Sequence, residues 1–349
     1  MNDLLLQWYQ TAHAQLMDPD RIPIILMAML VCAIIGMISG PLAGNANPFL
    51  WALLDKMFGN LGDRLDRSNR VKADLMFRGF LLSVFVMVIA MLIGKAFDSI
   101  QGNEMIFEAV RVLMLSLLLS VGSIWFSLLK LYFAMEHNKV GEGAYFAIAR
   151  STQVNLSAGD NFGITRTAMG LSARSFDKAL VSPAFWFLIG GFPVACMYAG
   201  LAMLSWRFGK NGLGSGFASV PLALERLMGF VPSVFSAFLI TMATFITPTS
   251  SIAKGVAAWL GHKNRAPYEQ GGFPLSALAW ALNVSLGGAV QDLSCKALKG
   301  EWVGPEGATA QLDHKHLRRA IYINVIATLL FVVTLLGAYM YSDFWPVGS

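Results

Sequence analysis

The chain has 349 residues, 56% of them hydrophobic and 13% charged, with a formal net charge of +5. A soluble domain has roughly a quarter of its residues charged, so this composition excludes an ordinary soluble globular protein. It implies an all-α polytopic membrane protein whose first partner is the lipid bilayer. The positive charge does not argue for nucleic acid, because the basic residues flank apolar runs, where topology bias places them.

The first 21 residues, MNDLLLQWYQTAHAQLMDPDR, have no basic start and no small-residue cleavage site, so no signal peptide is read there. Six later runs are apolar enough for membrane helices, which need about 20 residues: 22–39, 77–93, 107–134, 179–204, 231–247 and 321–341. Run 107–134 is the longest and has to tilt or protrude. Between the first two, 49–70 places Leu50, Leu53, Leu54, Met57, Phe58, Leu61 and Leu65 at helical spacing. That is an amphipathic helix, lying either on the membrane surface or against other segments.

Run 179–204 contains Gly190, Gly191 and Pro193. Glycine lowers helix propensity and proline removes a backbone donor. The run is therefore either one kinked crossing or a re-entrant hairpin. The glycine-rich stretch 208–216 follows no strand and is read as a loop, not a nucleotide fingerprint. A weaker run, 273–290, reads as a re-entrant or interfacial helix. No internal repeat and no separable soluble part is visible, so 1–349 is one membrane domain. Nineteen of the 26 basic residues fall in 51–78, 135–178 and 248–320. With 179–204 counted as a crossing, these loops are cytoplasmic and both termini lie opposite.

Cys32, Cys196 and Cys295 lack metal or redox spacing and read as packing residues. Arg111 sits about a turn inside an apolar run, where it can snorkel or pair with Glu108 at i, i+3. In Asp313-His314-Lys315-His316 the two histidines do not share a helix face, so they read as a helix collar. No metal site is expected. Phe185, Trp186 and Phe187 either line a pocket or pack helices. Arg174, Asp177 and Lys178 stand at the polar edge of 179–204. With Arg150 and Arg166 they form either an anion-binding cluster or a basic collar bridged by Asp177.

The spacing of several residues resembles the CobD/CbiB superfamily, which includes adenosylcobinamide-phosphate synthases and AmpE-like membrane proteins. The resemblance runs from about 150 to the last apolar run. It is carried by Pro183, Phe185, Gly190, Gly191 and Pro193 in SPAFWFLIGGFP, with Tyr198, Pro232, Gly287-Gly288, Trp302 and Gly304. Asn47-Pro48 and the helix after it resemble the family's His-Pro segment.

A synthase of this family, the resemblance implies, joins an aminopropanol or its phosphate to a corrinoid carboxyl, using Mg-ATP. Such chemistry needs acids to hold Mg²⁺. Counted back from Pro183, the family pattern Glu-x-x-Ala-Glu-Asn-x-x-Asp-Gly reads Gly170, Ala173, Arg174, Ser175, Lys178 and Ala179 here. Asp177 is one residue out of step, about 100° around a helix. The family's Asn-Thr-Leu-Asp-Ser-Met falls on 202–207, with Ser205 in the Asp position. Its Asp-Asp-x-x-Asn falls on 225–229, leaving Glu225 followed by Arg226. Its Ser-Pro-Asn falls on 268–270 and its Glu-Ala on Leu275-Ser276.

The resemblance thus leaves Glu225, Asp177 and Glu269 as residual catalytic candidates. Arg150, Arg166, Arg174, Lys178 and Arg226 remain as anion or ligand candidates, and Glu225-Arg226 reads equally as an ion pair. The expected protein is a bacterial inner-membrane relative without catalysis, nearest the AmpE-like branch. It would serve as an accessory, scaffold or sensory component, in a membrane complex or homo-oligomer, with no cofactor. The alternative is a divergent adenosylcobinamide-phosphate synthase using Mg-ATP and a corrinoid; a weaker one is a transporter.

Overall fold

The computed structural model describes residues 20–67, 70–99, 104–157, 159–247, 252–260, 265–298 and 300–344. It is an all-α membrane protein. Among the described residues, five helical runs are long and apolar enough to cross a membrane: Arg21–Ser39, Lys72–Asp98, Asn161–Ser215, Ser219–Ile246 and His314–Tyr341. We label the helices α1 (Arg21–Ser39), α2 (Phe49–Leu65), α3 (Lys72–Asp98), α4 (Glu104–Ser116), α5 (Gly122–Glu136), α6 (Phe146–Thr152), α7 (Asn161–Phe176), α8 (Ser182–Phe208), α9 (Ser219–Ile246), α10 (Ile252–Leu260), α11 (Gly272–Leu282) and α12 (His314–Phe344).

The run 107–134 is not one helix. It is α4 and α5 with non-helical backbone between them. Backbone polar groups at membrane depth need protein partners, and neighbours supply them here. Leu50 N–H donates to Leu117 O, Cys32 Sγ to Leu119 O, and Ser120 N–H to Ala179 O. Gly122 opens α5 against α1, where an added methyl would land on Ala33 O. Small residues let backbones approach this way in membranes. In place of a Glu108 pairing, the structure puts Asp98 in the field of Arg111.

The 179–204 region is a hairpin, not a kinked crossing. Gly190 (φ −130°, ψ 16°) and Gly191 (φ 66°, ψ −160°) leave the helical region. Gly191 occupies backbone space that L side chains rarely adopt. Chain positions far apart along a straight helix then meet. Tyr198 lies beside Ser182, the Phe187 and Phe192 rings are 4.8 Å apart, and Ser205 faces the same cavity as Gly170 and Arg174. Arg21 Nη1 caps the first arm by donating to Leu188 O at 3.0 Å. The second arm runs antiparallel to α3: Gly94 abuts Phe192 and Pro193, Gly200 abuts Val86 and Ala90, and Gly79 abuts Phe217. Residues after 205 therefore return to the end of the bundle where α7 begins, which reverses their side relative to a single crossing.

Helix α2 packs one face of its amphipathic pattern against other segments of the chain. Leu50, Trp51, Leu54 and Phe58 are buried, with Phe58 edge-on to Phe85 and Trp51 6.4 Å from Trp206. Leu53, Met57 and Leu61 stay exposed. The run 273–290 is helical only as α11, which ends at Asn283 in the left-handed conformation. Beyond it lie two short antiparallel pairs: β1 (Leu286–Gly287) with β4 (Trp302–Val303), and β2 (Val290–Gln291) with β3 (Ala297–Leu298).

Candidate functional site

Helix α7 reaches the first hairpin arm through a π turn, Asp177–Val181. Single π turns recur at functional sites. In a regular helix Asp177 and Lys178 would diverge by about 100°. Here both are buried, so the one-residue mismatch in the sequence does not turn Asp177 away from the core. Lys178 Nζ lies 3.0 Å from each carboxylate oxygen of Glu225 on α9, and the two side chains are only 3% and 0% exposed. The same ammonium stands 3.9 Å from the centre of the Tyr268 ring, a cation–π contact. Tyr268 Oη donates to Glu225 O at 3.2 Å. Burial, with the Glu225 charge next, pushes the Tyr268 phenol well above its ordinary range, so it stays neutral. Asp177 Oδ1 accepts from Ser182 Oγ at 3.0 Å and Ser236 Oγ at 3.2 Å.

Beside this sealed core is a cavity of about 140 Å³. Its walls come from α7 (Arg166, Gly170, Arg174), the end of the second hairpin arm (Ser205, Trp206, Gly209, Lys210), the 268–270 turn (Glu269, Gln270), and the strand pairs (Gly287, Gly288, Gly300). Three cations face one carboxylate. Arg166 Nη1 donates to Ala310 O at 2.8 Å and lies over Trp302. Lys210 Nζ donates to Gln153 O at 3.2 Å. Arg174 feels Glu225 electrostatically, yet no hydrogen bond or ion pair holds it among the described residues. Ser205 is 5% exposed, and among the described residues its hydroxyl has no hydrogen-bond partner. Trp206 Nε1 and Asn47 Nδ2 both donate to Ser151 O, at 2.7 and 3.0 Å, which brings the Asn47-Pro48 segment up to the cavity wall. A second cavity, about 410 Å³, lies across the 268–269 turn and is lined by Arg226, Arg265, Phe230 and Phe273.

The five basic candidates do not form one cluster. Arg166 and Arg174 share the cavity, and Lys178 is consumed by Glu225. Arg226 faces the second cavity, and Arg150 Nη1 donates to Ala43 O at the surface. Of the acidic candidates, only Glu269 lines the first cavity, while Glu225 and Asp177 are buried beside it. The sequence reading missed Lys210, because with a crossing and a hairpin both open at 179–204 it did not fix the side on which 205–230 lies. It also missed the Tyr268 contact with Lys178, because nothing in the spacing joins position 268 to 178.

The family positions converge all the same. Gly170, Arg174 and Ser205, which the resemblance sets against family acids, all line the one cavity together with Glu269, Gln270 and Leu275. The residues here do not fit Mg²⁺. Both Glu225 oxygens lie 3.0 Å from the Lys178 ammonium, Asp177 is held by hydroxyls, and Glu269 shares its cavity with three cations. Among the described residues, no three His, Cys, Asp or Glu side chains gather as metal ligands would.

The chain is 20% identical to the cobalamin biosynthesis protein CobD of Clostridium acetobutylicum over 313 residues, 88% of this chain and 96% of that one. It is 21% identical to CobD of Dehalococcoides mccartyi over 265 residues, 75% and 84% of the two chains. Against CobD of Brucella anthropi it is 27% identical over 154 residues, 43% of this chain, a match spanning only 46% of the relative's length. No solved structure matches the chain. Residues 48–324, most of the chain, match the family described as CobD/Cbib protein, and the chain belongs to that family.

Proposed function

We propose that this chain is a binding member of the CobD/CbiB superfamily, near its AmpE-like branch, that does not form the amide. It acts as an accessory, scaffold or sensory component in the bacterial inner membrane, with its basic loops cytoplasmic. The observation that carries the reading is the exchange of charge at one place. The cavity where the family pattern carries acids presents Arg166, Arg174 and Lys210 against Glu269 alone, and the neighbouring Glu225 is matched to Lys178. Cations repel Mg²⁺ where carboxylates would hold it.

A second reading, a divergent adenosylcobinamide-phosphate synthase, draws support from the relatives' name, cobalamin biosynthesis protein CobD. One assay separates the two. Purified protein receives adenosylcobyric acid, aminopropanol phosphate and Mg-ATP, and the corrinoid is read by mass spectrometry beside a working synthase. No product is expected. Product above a Glu269→Gln control would replace the binding reading with the synthase.

A further inference from the structure

Two features of the cavity lack a hydrogen-bond partner among the described residues. Arg174 is a half-buried cation with no hydrogen bond or ion pair among the described residues. Ser205, from the other hairpin arm, is a buried hydroxyl without a hydrogen bond. A buried polar group left unpaired is costly, and each such case calls for an explanation. Both face the same space, with Arg166 and Lys210 beside them. A guanidinium, a second guanidinium, an ammonium and a hydroxyl offer only donors to an anion, and arginine forks match phosphate oxygens bidentately.

We propose that this cavity is a metal-independent site for a small phosphate-bearing anion, held by Arg166, Arg174, Lys210 and Ser205. Gly170 forms its floor. A Cβ there would meet only Leu275 Cδ1, at 4.0 Å, so its missing side chain is space left for a ligand rather than a packing need. The proposal rests on the reading that this site binds rather than reacts. Its test needs neither corrinoid nor ATP, so the two can fail separately.

The test is calorimetric titration of the purified full chain with inorganic phosphate in EDTA. In parallel, unfolding is followed in nanodiscs of phosphatidylcholine with or without phosphatidic acid. Saturable binding without Mg²⁺ is expected, weakened about tenfold or more by Arg174→Met or Lys210→Met, as loss of a charge-assisted bond implies. Gly170→Glu, which places a carboxylate in open space, is expected to abolish it. Arg150→Met, a surface cation outside the cavity, leaves it unchanged. Binding of inorganic phosphate assigns the site to a free phosphate compound. Arg174-dependent stabilisation by phosphatidic acid alone assigns it to a lipid headgroup. The proposal is overturned if neither probe binds, if binding needs Mg²⁺, or if it survives Arg174→Met/Lys210→Met in protein whose unfolding midpoint is unchanged.

Discussion

Two cations one helical turn apart, Lys178 and Arg174, fall at positions that the resemblance sets against acids, and their surroundings separate them. Lys178 is sealed at 3.0 Å from both oxygens of Glu225 and under the Tyr268 ring. Arg174 opens onto a cavity and has no such partner. The difference teaches that a change of charge can be absorbed in two ways. Where a carboxylate lies within reach, the new cation becomes part of the fold. Where none pairs with it, the cation is left for something from outside.

The sharpest way to break this comparison is at the sealed pair. Glu225→Ala leaves Lys178 buried and uncompensated, and loss of about 3–5 kcal/mol is expected. Lys178→Met/Glu225→Leu should recover most of it, read as unfolding midpoints in detergent. If the single and double variants unfold alike, the pair is not what seals the core. A smaller loss, about 1–3 kcal/mol, is expected for Gly191→Ala, because its backbone conformation is costly for any side chain. An added methyl would also press on Asp98 Oδ2 at 3.3 Å. Retained stability would mean the hairpin turn relaxes.

Outside both regions, Asp313 Oδ1 accepts from the Lys315 and His316 backbone N–H groups at the start of α12 and contacts His316 Nδ1 at 2.7 Å. Removing a cap of this kind costs about 1 kcal/mol, so Asp313→Ala is a measure of ordinary local damage. Partial burial raises the Asp313 pKa, but the His316 and backbone hydrogen bonds outweigh it, and the net direction is down. The contribution is therefore present above the unfolded carboxyl pKa and is lost as pH falls through the lower folded value. An acid titration of wild type against Asp313→Ala should converge at low pH. Smallest of all, Arg174→Met should cost no measurable stability, since a cation without a hydrogen bond or ion pair has none to lose, while removing anion binding. A large loss of stability would make Arg174 a structural cation like Lys178.

The all-α membrane class was legible from composition, and the position of α2 from its periodicity. Gly190, Gly191 and Pro193 announced a break but not its angle. A kink and a hairpin use the same residues, and only contacts between distant positions such as Ser182 and Tyr198 distinguish them. The 107–134 break was illegible because Leu117–Val121 is as apolar as its flanks, and its carbonyls and amides are satisfied by α2, α1 and the π turn. At the site, the aligned positions 170, 174 and 205 pointed to one place, although no spacing rule shows that they meet. Lys210 was lost with the hairpin, since its side of the bundle depends on that turn. The pairing of Lys178 with Glu225 lies 47 residues apart on different helices, beyond any local pattern.

That separation has a consequence for how the protein is made. A ribosome delivers Lys178 well before Glu225, so the first hairpin arm reaches its translocon with an ammonium whose counter-ion has not yet emerged. Chains stalled while Glu225 is still inside the ribosomal tunnel should hold that arm loosely, at the channel or near the lipid headgroups. Chains extended until α9 has left the tunnel should release it into the bilayer. Crosslinking of stalled nascent chains at these two lengths would reveal whether the arrival of Glu225 is the event that commits the hairpin.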